Sequence, residues 1–164
     1  MSETNTETAQ APDLENTLYM DLQSGRVVIR LRPDLAPHHV ARVKELTREG
    51  FYNGIVFHRV IPGFMAQSGD PTGTGRGGSN KGQLRAEFSR EPFRRGTVGA
   101  ARSQNPDSAD SQFFICFDDA QFLDRQYTVW GQVVSGMEHV DKIKRGEPVQ
   151  NPDKIVKMRV KADL

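Results

Sequence analysis

The sequence predicts a mainly β protein, a closed eight-stranded antiparallel barrel capped by two α-helices. Three observations carry this expectation. Segments that alternate apolar and polar residues recur along the whole chain, as half-buried strands do. Only two stretches show helical spacing, and they lie far apart, so strands do not alternate with helices as a doubly wound parallel sheet requires. Mostly sequential strands in this number suit closure into a barrel, which removes exposed edges. A chain of 164 residues without an internal repeat fits one domain with a real core.

The first fifteen residues, M-S-E-T-N-T-E-T-A-Q-A-P-D-L-E, are polar and acidic and predict a flexible tail over 1–15, with the folded domain over 16–164. Asn16–Leu22 alternates as a strand, Ser24-Gly25 supplies a turn, and Arg26–Leu31 returns as the second arm of a hairpin. A helix follows: Pro37 suits its first turn, Ala36, Val40, Val43 and Leu46 form one apolar stripe, and Gly50 stops it. His38, His39, Glu45 and Arg48 then face water. Ile55–Asp70 reads as two strands broken at the turn dipeptide Pro62-Gly63. From Gly69 to Gly82 the glycine content is too high for regular structure, and a long surface loop is expected. Thr97–Ala101, Ser111–Phe117 and Tyr127–Val134 are the next strands. Ser135 with Glu138 forms a capping-box pattern that opens a second helix, with Met137, Val140 and Ile143 on its apolar side and Gly146 at its end. Lys154–Val160 alternates as the last strand.

Bulk properties narrow the function. Lysine and arginine number 22 against 21 acidic residues, and a net charge of +1 offers no basic field for nucleic acid. The first residues lack the basic start and apolar run of a signal peptide, and no stretch approaches the ~18 consecutive apolar residues of a membrane span. A single cysteine, Cys116, excludes an internal disulfide and a multi-cysteine zinc site, and the four histidines fall in no ligand spacing. The expectation is a cytoplasmic, metal-free, cofactor-free domain, monomeric for want of a contiguous apolar surface stripe.

Gly73–Gly78 satisfies G-x-G-x-x-G literally, but no strand–helix unit surrounds it, so dinucleotide binding lacks its physical context. There is no G-x-S-x-G elbow, Cys116 lies inside an apolar strand where a thiol is inert, and Asp118-Asp119 reads as a solvated turn. The unusual stretch is Ile55–Asp70, I-V-F-H-R-V-I-P-G-F-M-A-Q-S-G-D, apolar enough for an interior yet carrying Arg59 and Gln67. Buried polar groups need partners, so these two side chains suggest the wall of a pocket. An ordinary strand pair with one edge arginine in water fits this stretch alone equally well. Met65 and Gln67 share a strand face by the two-residue period, with Phe64 at the turn before them. Phe113 and Phe114 point to opposite faces, and Phe122-Leu123 follows a polar turn. Together they suggest a shallow apolar cleft with Arg59 at its rim.

F-H-R-V-I-P-G-F-M-A-Q-S-G-D, together with G-T-V-G-A-A-R and S-Q-F-F-I, resembles the cyclophilin family of peptidyl-prolyl cis–trans isomerases, most closely its compact bacterial branch. The resemblance runs from about Asn16 to the C-terminus. It implies an eight-stranded barrel with two helices and isomerisation of X-Pro bonds in proline-containing peptides and in unfolded or folding proteins. The family's catalytic arginine falls on Arg59 and its supporting glutamine on Gln67. Its proline-pocket residues fall on Phe64, Met65, Phe114 and Leu123. Ala101 and Arg102 match the backbone segment that holds the peptide, and Gln112 matches a wall residue. Two positions depart from the commonest pattern: Phe122 stands where many members carry tryptophan, and Tyr127 where many carry histidine. The first leaves cyclosporin binding weak or uncertain. A proline-peptide binding module or holding chaperone with incidental turnover would use the same pocket; the arginine aimed at the amide distinguishes the enzyme.

Overall fold

The computed structural model describes residues 13–164. Most of the expected tail lies outside the described residues; within it, Leu14–Asn16 forms a 3-10 turn, and Glu15 pairs with Arg48 at 2.7 Å. Eight strands follow in one antiparallel sheet: β1 Thr17–Leu22, β2 Gly25–Leu31, β3 Arg59–Ile61, β4 Met65–Ser68, β5 Thr97–Ala100, β6 Phe113–Cys116, β7 Val129–Ser135 and β8 Lys157–Val160. Their order across the sheet is β3-β4-β6-β5-β7-β2-β1-β8.

Closure is where the structure departs from expectation. The sheet curls into an open half-barrel: β3 and β8 are its two edges, and no ladder joins them among the described residues. The gap is covered by irregular backbone. Gly54 N–H donates to the Ile155 carbonyl at 2.7 Å, Ile155 N–H to Ile55 at 2.9 Å, and Phe57 N–H to Asp153 at 2.8 Å. Val60 and Gly146 exchange two bonds of 2.8 Å each. Pro148 and Pro152 lie in the segment leading to β8, and proline has no N–H to give a ladder. Ile55, Phe57, Val149 and Ile155 are all buried along this seam and plug the core.

The hairpin β1–β2 pairs Leu22 with Gly25, and Leu18, Met20 and Leu22 alternate inward with Val27, Ile29 and Leu31. Helix α1, Pro37–Arg48, begins with Pro37 in its first turn and buries Val40, Val43 and Leu46 as the stripe predicts. His39 does not face water. It is buried, with Nδ1 2.6 Å from Glu87 Oε1, and the Glu87 carboxylate also accepts the backbone N–H groups of His38 and His39. A distant carboxylate thus caps the helix and satisfies N–H groups that have no partner within it.

The second helix is shorter than its capping pattern suggests. Ser135 is still strand, paired with Val28, and Gly136 at φ +86° turns the chain into a single turn, α2 Met137–Val140. Beyond it the chain tightens into i to i+3 bonds, Lys142 to His139 and Ile143 to Val140, so Val140 and Ile143 are buried without a full helix. Among the described residues, no helix is long and apolar enough to cross a membrane.

Candidate active site

Strand register assembles the site. Arg59 on β3 faces Gln67 on β4; Gln67 faces Phe114 on β6; Phe114 faces Gly99 on β5. Directly opposed residues point to the same side of a sheet, so these four form one row on the outer face, while Phe113 and Ile115 point into the barrel core. The row ends at Gly99 for a steric reason. A Cβ there would lie 2.7 Å from Phe114 Cζ and 2.8 Å from Phe93 Cε2. Its absence lets the Phe93 and Phe114 rings stack with centroids 5.7 Å apart.

A line of hydrogen bonds runs along the upper end of the row. Arg59 Nη1 donates to Gln67 Oε1 at 3.2 Å, Gln67 Nε2 to Gln112 Oε1 at 2.9 Å, and Gln112 Nε2 to the carbonyls of Gly75 and Gly77 at 3.0 Å each. The other side of the guanidinium is held by Glu147, whose Oε2 accepts Arg59 Nε–H at 2.7 Å. The glycine-rich loop is in turn wound around Asp70, which accepts the backbone N–H groups of Thr72, Thr74 and Gly75 at 2.8, 3.1 and 2.6 Å and the Thr72 hydroxyl. Burial pushes this carboxyl up, but the bonds from Thr72 and from the Gly77 and Gly75 N–H groups outweigh it and bring the pKa down to about 2. Within Gly73–Gly78, the N–H groups of Thr74 and Gly75 are thus spent on the protein's own carboxylate.

Below the arginine lies a cleft of about 530 Å³ lined by Arg59, Phe64, Met65, Gln67, Ala101, Arg102, Phe114, Phe122, Leu123, Gln126 and Tyr127. Met65, Phe114 and Leu123 are its buried floor. Phe64 and Phe122 pack at 5.3 Å on one rim, and Phe122 is 70% exposed. On the other rim Tyr127 stands edge-on to Phe114 at 5.8 Å, and the Arg102 guanidinium sits 4.3 Å over its ring. Arg102 is locked there by donating to the carbonyls of Gln126 and Ser103. A second cleft of about 570 Å³ continues from Gln67, Ala101 and Arg102 along Gln112 and the glycine loop. Beneath the floor, Cys116 is buried, and burial pushes its thiol up to about 12, so it stays unreactive.

The same chain, compared with known proteins, matches the model of the cyclophilin type peptidyl-prolyl cis-trans isomerase family over residues 17–161. The chain belongs to the cyclophilins. It is 59% identical to a probable peptidyl-prolyl cis-trans isomerase of Brucella suis biovar 1 (strain 1330), over 96% of this chain and 88% of that one. Among solved structures it superposes on the cyclophilin AquaCyp293 from Hirschia baltica with a TM-score of 0.86 at 29% identity, covering 93% of this chain and 76% of that one. A cyclophilin type isomerase of Cryptosporidium parvum, crystallised in the presence of the dipeptide Ala-Pro, superposes with a TM-score of 0.82 at 25% identity, over 88% and 98% of the two chains. This cyclophilin is therefore a peptidyl-prolyl cis–trans isomerase.

Every residue singled out in the cyclophilin's sequence lines the first cleft except Gln112, which sits at its junction with the second and holds Gln67. Five contributors escaped the sequence, one of them Gln126, which lines the cleft and whose carbonyl accepts from Arg102. Asp70 carried a signal, an acid followed by Thr72 and Thr74 at Asx-turn spacing. Gly99 and Phe93 act through a close approach that only register reveals. Glu147 gives no sequence signal, being 88 positions from its partner. Next to Arg59 in the chain, His58 is buried, and its Nδ1 has no hydrogen-bond partner among the described residues.

Proposed function

We propose that Arg59 is the transition-state donor of this isomerase. Rotation about a peptide bond faces a barrier of ~18–20 kcal/mol from amide resonance, and X-Pro exchange takes tens to hundreds of seconds unaided. In the twisted state the proline nitrogen regains its lone pair and accepts a hydrogen bond, which the planar amide does not. A guanidinium N–H delivered there binds the transition state more tightly than the substrate, which is what acceleration requires. Gln67 holds the guanidinium and meets the peptide backbone. Phe64, Met65, Phe114 and Leu123 grip the proline ring, and their apolar surface suits the less polar twisted amide. Ala101, Arg102 and Gln112 hold the flanking peptide, with Phe122 and Tyr127 as rims.

The observation that carries these roles is the row Arg59–Gln67–Phe114, which places a held cation directly beside an apolar floor. The Ala-Pro dipeptide present with the Cryptosporidium parvum relative supports proline-containing peptides as the ligand class. The proposed setting is a cytoplasmic monomer acting on unfolded or folding proteins, without nucleic acid, membrane or cofactor, and with weak cyclosporin binding because Phe122 replaces an indole.

The test is Arg59→Ala in a coupled isomerisation assay on X-Pro peptides. Removing a preorganised donor lowers kcat by ~10²–10³, while the folded state persists because the Arg59 side chain is 42% exposed. Full activity in the folded variant overturns the assignment. A lost rate with retained peptide binding separates the enzyme's donor from a mere binding contact.

A further inference from the structure

We infer that Glu147 is a positioning residue for Arg59, a second clamp on the guanidinium opposite Gln67. The inference rests on Arg59 being the donor to the twisted amide. Backbone geometry brings the two together. Gly146 exchanges two hydrogen bonds with Val60, and Val149 N–H donates to the His58 carbonyl, so the segment carrying Glu147 is stitched to the chain on both sides of Arg59. Between these stitches Glu147 Oε2 meets Arg59 Nε at 2.7 Å. Among the described residues each is the other's only ion-pair partner.

The contact makes little sense as a stabilising one. The two side chains are 42% and 58% exposed, and exposed pairs contribute little to folding because water and salt screen them. Its geometry does have a consequence for the site. Gln67 is engaged through Nη1 and Glu147 through Nε, so the planar fork is fixed at two of its corners and cannot spin about its long stem. The N–H groups on Nη2 are engaged by neither clamp. A charge-assisted bond to a rigid planar group gives direction as well as attraction. Holding one N–H orientation ahead of substrate binding is the preorganisation on which a transition-state donor depends. Loss of the clamp therefore lowers the turnover step and spares the apolar grip on the proline ring, which is built from Phe64, Met65, Phe114 and Leu123.

The experiment is a double-mutant cycle in the full chain, with Glu147→Gln, Glu147→Ala and Glu147→Asp each made alone and with Arg59→Ala. Rates are measured on one X-Pro peptide by exchange spectroscopy at raised enzyme concentration, so that the residual rate of Arg59→Ala is resolved. The expected result for Glu147→Gln and Glu147→Ala is a kcat lowered about threefold to tenfold with KM within about twofold, inside the range of coupling that contacting residues show. Glu147→Asp recovers part of the loss. The melting temperature stays within about 3 °C, as an exposed pair dictates. In the Arg59→Ala background the same substitutions leave the residual rate unchanged. The Arg59 Nε–H resonance shifts in Glu147→Gln without substrate, a signature that a general structural role would not produce. An unchanged kcat in the single variants, or a loss that persists without Arg59, overturns the inference. Full activity of Arg59→Ala by itself removes the donor assignment instead, so the two failures are distinguishable.

Discussion

At Arg59 two of the guanidinium's five N–H donors are committed before any substrate arrives, one to Gln67 and one to Glu147. The residue before it in the chain is a histidine. His58 is buried, and burial lowers its pKa from 6.5; the nearby Asp70 charge raises it and Arg59 lowers it again, with a net decrease. An imidazole with a depressed pKa is neutral at neutral pH, and the proposed step moves no proton. The rate is thus expected to stay nearly flat from about pH 6 to 8, checked by kcat/KM profiles on one X-Pro peptide. A bell-shaped profile centred in that window would make His58 or another titrating group a participant. Arg102 illustrates a different residue-scale device: it stacks on Tyr127 and ties Gln126 to Ser103, so the rim that departs from the commonest family pattern is fixed by a cation.

Among the elements, β5 and β6 position the pocket floor because Gly99 has no side chain. Gly99→Ala would set its Cβ 2.7 Å from Phe114 Cζ and 2.8 Å from Phe93 Cε2. Overpacking of this kind costs ~1–3 kcal/mol, which lowers the melting temperature by about 3–10 °C. Because Phe114 forms the floor of the cleft, the same variant raises KM for proline peptides. Calorimetry and a peptide titration check both effects, and an unchanged melting temperature would show that the rings have room to spare. The alternation of β1, the stripe of α1 and the opposed Phe113 and Phe114 were legible in the sequence because each follows a local period. What escaped depends on distant partners. His39 lies at a helical position that local spacing assigns to solvent, yet Glu87, far along the chain, draws it inside. Ser135 with Glu138 has the residues of a capping box, but the pairing of Ser135 with Val28 extends β7 through the cap position. Gly99 and Glu147 matter only through register and loop packing, which no local pattern encodes.

For the molecule as a whole, the counting of strands pointed to a closed barrel, whereas Pro148 and Pro152 leave the β3–β8 seam to irregular backbone and buried Ile55, Phe57, Val149 and Ile155. The pocket lies on β3, β4, β6 and β5, so one sheet edge carries both the seam and Arg59, and the glycine loop wound on Asp70 borders the same region. Stability should therefore respond to acid in two stages. Burial lowers the pKa of His39, against the raising effect of its bond to Glu87, and burial also lowers that of His58. Both contribute stability that is present above about pH 6.5 and lost as the pH falls through their folded values, since the unfolded chain takes up protons first. Asp70 acts lower. Its folded pKa of about 2 lies below its unfolded 3.8, so its contribution is present above 3.8 and lost as the pH falls toward 2. By linkage this contribution is about 2 kcal/mol. Asp70→Asn, which mimics the protonated form, separates the stages. In urea titrations its deficit against the wild type is expected to be about 2 kcal/mol above pH 5 and roughly half that at pH 3, while both proteins share the earlier decline between pH 7 and 5. A deficit that stays constant down to pH 3 would mean that the Asp70 side chain supports the glycine loop by shape and not by charge.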